Sequence, residues 1–207
     1  MNIAIFGVGG HSKVVTEIAE LAGYNGIYYF DDSYNRKTNI EKVLHGDFSD
    51  LLTKINSFDA IHIAIGNNSD RERKLKEIEK IGITAISLIH PSAIISETVT
   101  IGNGCVVMAG VIVNSCSNIG DGVIINTRAC IDHDCNIGNY THISPGVSIS
   151  GGVKIGMNSW VGTGSALINN IHIGDNVIVG AGSVVVKNLP SNAKAYGNPC
   201  RVVMQNK

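Results

Sequence analysis

Stepping by six residues from Ile95 meets Ile101, Val107, Val113, Ile119 and Ile125. The series runs on unbroken through Ile131, Ile137, Ile143, Ile149, Ile155, Val161, Leu167, Ile173 and Val179 to Val185. Every position in it is Ile, Val or Leu. A half-buried strand alternates every two residues and an amphipathic helix repeats about every 3.6, so neither explains a period of six. A hexapeptide period is the signature of a parallel β-helix. Four residues beyond each ladder position stands a small or aliphatic residue, from Cys105, Val111 and Ser117 to Val177 and Ser183. Two inward positions per hexapeptide predict a narrow interior. Gly102, Gly120, Gly138, Gly156 and Gly174 recur every 18 residues, so one coil is a triangular turn with one hexapeptide per side. The run builds about five coils, each covering the apolar face of the next.

The preceding residues follow a different pattern. Asn2 to Phe6, Ile27 to Phe30, Ile61 to Ile65 and Thr84 to Ile89 are short apolar runs that read as strands. Ser12 to Ala22 has apolar residues at helical spacing and stops at Gly23. Ser69 to Lys80 reads as a polar helix, with Ser69 and Glu72 placed as a capping box. Strands alternating with helices predict a small parallel α/β sheet. His90-Pro91-Ser92 marks the boundary. The expected organisation is a Rossmann-like domain over 1–90 and a β-helix over 91–207, with the 33–60 stretch the least patterned part.

Composition narrows the picture. The 24 glycines fit an architecture of many tight turns. With 16 basic and 17 acidic residues the net charge is -1, and no basic patch points to nucleic acid or an anionic membrane. The five cysteines, Cys105, Cys116, Cys130, Cys135 and Cys200, form no C-x-x-C motif. An odd count predicts free thiols in a reducing compartment. The start MNIAIFGVGGHSK lacks the pattern of an export signal, and no apolar run reaches the roughly 18 residues of a membrane span. A cytoplasmic protein is expected.

Two segments carry candidate chemistry. Gly7-Val-Gly-Gly-His11 follows a strand and opens a helix, where backbone N–H groups favour a phosphate. Asp31 and Asp32 follow at about the spacing from which a carboxylate reaches a ribose or base. NAD is a rival ligand, because Gly-x-Gly-Gly plus a distant Asp partly matches the dinucleotide fingerprint. Against it, Ser12 replaces the third glycine and the domain is short. His133, between Asp132 and Asp134, is either a general base beside an orienting carboxylate or a solvated surface group.

Several segments in order along the chain carry a resemblance: Phe6-Gly-Val-Gly-Gly-His11, Phe30-Asp-Asp32, Ala64-Ile-Gly-Asn-Asn68, Leu88-Ile-His-Pro-Ser-Ala93, Ile125-Asn-Thr127, Ile131-Asp-His-Asp134 and Tyr196-Gly-Asn-Pro-Cys-Arg201. Together they resemble the hexapeptide-repeat sugar acyltransferases that acetylate nucleotide-activated 4-amino-4,6-dideoxy sugars, of bacillosamine or perosamine type, or sialic acid. The resemblance implies a left-handed coil, a homotrimer, and acetyl-CoA bound between adjacent β-helices, with no metal. It implies His133 as catalytic base, supported by Asp134. Members often carry Glu there, and Asp is one methylene shorter. Gly9, Gly10, His11, Asp31, Asp32, Gly66, Asn67 and Asn126 take the place of groups near a UDP- or GDP-linked sugar. His142, Gly151, Gly162, Thr163, Gly180 and Ala181 take that of groups along the CoA arm, with Lys187 and Arg201 near its phosphates. Trp160 is assigned no chemistry. The implied activity is N-acetylation in surface-glycan biosynthesis. Alternatives are O-acetylation of sialic acid or another sugar hydroxyl, and a non-catalytic nucleotide-sugar-binding protein. A zinc hydratase using His133, His142 and His172 has no matching spacing.

Overall fold

A computed structural model describes residues 1–33 and 43–205. Residues 34–42, within the unpatterned 33–60 stretch, lie outside the described residues. Three parallel strands form the N-terminal sheet: β1 (Asn2–Phe6), β2 (Gly26–Phe30) and β3 (Ala60–Ile63), in the order β2-β1-β3. Helices α1 (Gly10–Leu21), α2 (Phe48–Lys54) and α3 (Asn68–Glu79) connect and cover them. Helix α1 buries Ser12, Val15, Ile18 and Ala19 along one face. It starts before Ser12, whose amide and hydroxyl both donate to the Gly9 carbonyl. The capping box expected at Ser69 is not formed. Asn67 caps α3 by accepting from the Asp70 amide at 3.1 Å, and Ser69 donates to that same Asn67 side chain. Glu72 turns instead to Lys76 and Asn158.

The segment expected as a strand over Thr84 to Ile89 divides its bonding between the two halves of the molecule. The Ile86 amide donates to Ile61 of the sheet, while the Ala85 carbonyl accepts from Gly104 of the coil. Only Leu88–Ile89 is a strand, and it pairs with Val106–Val107. It is the first rung of the β-helix. Ile89 stands six residues before Ile95, so the ladder extends one step further back than the repeat count.

The β-helix is left-handed and presents three flat parallel sheets. The first face holds the strands from Leu88–Ile89 to Ile178–Val179. The second holds those from Ile94–Ile95 to Val184–Val185, and the third those from Thr100–Ile101 to His172–Ile173. Partners are one coil apart: Ile124 lies between Val106 and His142. From Val107 to Val185 the ladder residues are at most 3% exposed. Burying one such aliphatic side chain is worth about 1.5–3 kcal/mol. The second inward register is buried too, and its hydroxyls are bonded coil to coil. Ser117 donates to the Asp132 carbonyl and accepts from the Cys135 amide.

The glycines serve two distinct purposes. At corner positions such as Gly104, Gly122 and Gly152 the backbone is left-handed, with φ of +62 to +70°. The same conformation falls on Cys116, Arg128, Asp134 and Tyr140, at about 1–2 kcal/mol each for a residue with a Cβ. The 18-residue glycines have no such φ. They are needed because a Cβ on Gly138 would stand 2.6 Å from the backbone of the next coil.

The two halves meet in a shared apolar cluster beside the coil interior. Ile3, Ile5, Val15 and Ile18 pack in a single apolar cluster with Leu88, Val106, Met108 and Ile124. At the far end Ala193–Tyr196 joins the first face, and Arg201–Gln205 folds back antiparallel on it. Among the described residues, no helix is long and apolar enough to cross a membrane.

Candidate active site

The turn after β1 is forced by close packing. Gly7 has φ +109°, and a Cβ there would stand 2.7 Å from the Ala64 carbonyl oxygen. The chain leaves β1 against the end of β3 and enters α1 directly. Gly9, Gly10, His11, Asp31, Asp32 and Gly66 then line one open cavity of about 420 Å³. It lies at the carboxyl ends of the strands, where open parallel sheets place ligands. Asp31 braces the glycine turn, accepting from the Val8 amide at 3.1 Å and the Ser33 amide at 2.8 Å. Asp32 accepts from Lys74 Nζ at 3.1 Å. That ammonium also sits 3.8 Å over the Phe48 ring, so the Lys74 side chain is nearly buried. Arg73 and Lys74 both line the cavity and supply cations suited to a diphosphate. The sequence reading missed both, because charges on α3 look like an ordinary solvated face.

A second open cavity of about 700 Å³ shares Gly66 and is lined by Asn67, His142 and Trp160 among others. His142 lies on the first face, where Trp160, one coil on, stacks parallel to it with ring centroids 5.8 Å apart. Trp160 is itself fixed by donating to Ser144 Oγ at 2.7 Å. Asn126 Nδ2 donates to His142 Nε2 at 3.1 Å, and Asn126 Oδ1 accepts from the Thr127 amide. The Gly66 carbonyl faces the His142 ring and favours its protonated form, against burial. With Nε2 accepting, the proton is on Nδ1. Burial, with Arg71 nearby, pushes the His142 pKa down to about 4. His11 is pushed down to about 3 by burial, then by His62, His142 and Arg71. Both rings are therefore neutral near pH 7. His11 Nε2 is buried and has no hydrogen-bond partner among the described residues.

His133 and Asp134 lie elsewhere, on the corner between the second and third faces. His133 Nδ1 stands 2.7 Å from Asp134 Oδ2. Asp132 accepts from the His133 amide and from Asn114 Nδ2. Asp134, and then Asp132, raises the His133 pKa above its ordinary value. The ring lies over Gly151, one coil on, where a Cβ would come within 2.6 Å of Cε1 and Nε2. The side chains of His133 and Asp134 are 58% and 65% exposed, and neither lines the two cavities. Asn126, Gly162, Thr163, Gly180 and Ala181 occupy the corner between the first and second faces. Gly162 lets two coils approach there, since a Cβ would stand 2.6 Å from the Ala181 amide. Arg201 bonds the Cys200 carbonyl at 2.9 Å. Among the described residues no group of three or more His, Cys, Asp or Glu side chains is arranged to hold a metal.

Residues 2–78 match the family model of the PglD N-terminal domain, and residues 152–187 match the bacterial transferase hexapeptide (six repeats). A UDP-N-acetylbacillosamine N-acetyltransferase of Bacillus subtilis (strain 168) is 37% identical over 111 residues, 52% of this chain and 51% of that protein. The match thus spans about half the length of that relative. Two solved structures match nearly end to end. One is the acetyltransferase domain of PglB from Neisseria gonorrhoeae FA1090 with acetyl coenzyme A, at 37% identity and a TM-score of 0.91 over 98% of both chains. The other is PerB from Caulobacter crescentus with CoA and GDP-perosamine, at 36% identity and 0.91 over 98% of this chain and 97% of that one. The chain belongs to this family of hexapeptide-repeat sugar N-acetyltransferases with a PglD-type N-terminal domain.

Proposed function

We propose that the protein transfers an acetyl group from acetyl-CoA to the amine of a nucleotide-linked 4-amino-4,6-dideoxy sugar. The observation that carries this reading is the exposed His133–Asp134 pair at 2.7 Å, seated on Gly151. With Nδ1 held by Asp134, Nε2 is the free basic atom. The sugar amine attacks the thioester carbonyl, and Nε2 takes the proton that the nitrogen sheds as the C–N bond forms. The tetrahedral intermediate then expels the CoA thiolate, which recovers that proton from His133. A carboxylate beside Nδ1 fixes the tautomer and stabilises the imidazolium between the two steps.

The acceptor enters the cavity of the N-terminal domain. Its diphosphate lies at the glycine turn and the start of α1, facing Arg73 and Lys74. Nucleotide-sugar and CoA complexes of PerB favour this assignment. Asn126 stands toward the sugar, and His142, on the adjoining cavity, toward the acetyl end of CoA. Gly151, Gly162, Thr163, Gly180 and Ala181 flank the CoA arm. Because His133 and the cavity lie on different corners of one chain, we infer a homotrimer in which one subunit's cavity meets the next subunit's His133. Acetyl-CoA and nucleotide sugars are metabolites of the cytoplasm, and the protein acts there, in surface-glycan biosynthesis.

The test is His133→Ala. Turnover should fall by orders of magnitude while calorimetry shows acetyl-CoA still binding. Undiminished turnover would remove His133 as the base.

A further inference from the structure

Arg71, on α3, is the largest fully buried side chain among the described residues, at 1% exposure. A guanidinium out of water normally meets a carboxylate, because an uncompensated buried charge is costly. Arg71 meets none. Nε donates to the Gly122 carbonyl at 2.7 Å. Nη1 donates to the Ile65 and Gly66 carbonyls at 3.0 and 3.1 Å. Nη2 donates to Asn68 Oδ1 at 2.8 Å and to the Tyr140 carbonyl at 2.6 Å. A guanidinium has five N–H donors in a rigid fork, and each has an acceptor here.

The acceptors belong to two bodies. Gly122 and Tyr140 are corner residues of the β-helix, both with left-handed backbone. Ile65, Gly66 and Asn68 form the turn from β3 into α3, which lines both cavities. Gly66 is the point of connection. Its carbonyl accepts from Arg71 and faces the His142 ring, whose Nε2 accepts from Asn126. That oxygen is thus held by a fixed cation on one side and turned toward the ring on the other.

We propose that Arg71 is a positioning residue for acetyl transfer: by clamping the Gly66 carbonyl against the β-helix, it sets the orientation and tautomer of His142 and, through it, the amide of Asn126. A purely structural clamp would be served by contacts between the two bodies alone, such as Asn68 to the Asn158 and Ser159 carbonyls. Arg71 instead spends three of its five donors on the turn between the cavities. Lysine cannot replace it, since three donors from a single point cannot span acceptors on both sides.

The assignment rests on the acetyl-transfer reading, and the test separates the two. Arg71→Lys is compared with Leu75→Ala, which loosens the same interface without touching the Gly66 turn. Leu75 packs beside Gly104 and Gly122. The expected result is a kcat lowered on the order of tenfold or more in Arg71→Lys, with KM for acetyl-CoA little changed. Leu75→Ala should lower Tm while keeping kcat. Equal kcat values in the two variants would reduce Arg71 to domain glue. A second readout needs no variant of Arg71: nitrogen-15 NMR of the wild-type His142 ring at pH 7 should show the neutral Nδ1–H form. An Nε2–H or charged ring would overturn the proposal. If the wild-type protein acetylates no amino sugar, the functional reading fails, and the ring spectrum still decides the network.

Discussion

Replacing Gly151 by Ala places a methyl carbon 2.6 Å from His133 Cε1 and Nε2, whereas non-bonded carbons settle at about 3.5 Å. The ring must retreat by roughly 1 Å. Its bond to Asp134 at 2.7 Å can stretch only to about 3.2 Å before it weakens, so the pair loses its alignment. A misplacement of about 1 Å costs on the order of 10²-fold in rate, or about 2.7 kcal/mol of barrier. Little stability should be lost, because Gly151 has no left-handed φ and the His133 side chain is 58% exposed. The assay is steady-state kinetics in the wild-type and His133→Ala backgrounds. If the methyl acts by displacing the ring, Gly151→Ala lowers kcat strongly in the first and adds nothing to the residual rate of the second. An equal loss in both backgrounds would refute the steric reasoning. So would a raised KM for acetyl-CoA at unchanged kcat, which would mark Gly151 as a contact of the CoA arm alone.

Asp134→Asn removes the leading cause of the raised His133 pKa. The acid limb of kcat/KM should move to lower pH and the plateau should drop; a limb that stays in place would separate Asp134 from the base. His62, wholly buried, has its pKa lowered to about 4 by desolvation, against 6.5 unfolded. The unfolded chain binds the proton first, so stability is full above pH 6.5 and is lost as pH falls toward 4. His62 alone should remove on the order of 3 kcal/mol over that window, with His11 and His142 acting in the same direction. Calorimetric Tm values level from pH 7 to pH 4.5 would contradict this. Mixing inactive His133→Ala subunits with subunits inactivated in the N-terminal cavity by Asp32→Arg should restore turnover if each site is shared, and no recovery would place both halves in one subunit.

The ladder was legible because the coil has only two inward positions per hexapeptide, and a narrow tube admits nothing but aliphatic or small residues at Ile131 or Cys135. The glycine turn, read as a phosphate site, and Asp31 and Asp32, read as contacts to a ribose or base, do share a cavity. The helix cap was misread because Ser69 and Glu72 fit a spacing, whereas Asn67 reached the Asp70 amide first. Thr84 to Ile89 looked like a strand of the sheet because its apolar run does not reveal which neighbour supplies each hydrogen bond. Arg71 was invisible among Arg73, Lys74 and Lys76: only docking of α3 on the corners at Gly122 and Tyr140 decides which of these charges is buried. His133 is exposed and carries no hydrophobic pattern at all, so its role came from resemblance. Its seat on Gly151 required the register between coils.

The most direct measurement of the central claim is the mass spectrum of UDP- and GDP-linked 4-amino-4,6-dideoxy sugars after incubation with the protein and acetyl-CoA, read beside release of free CoA thiol. Acetyl transfer to the amine predicts that one nucleotide sugar gains a single acetyl group, stable to mild base as an amide is, with one thiol released per product, and that His133→Ala forms none above background. Thiol release without an acetylated sugar, acetylation confined to a hydroxyl, or full product from His133→Ala would contradict it.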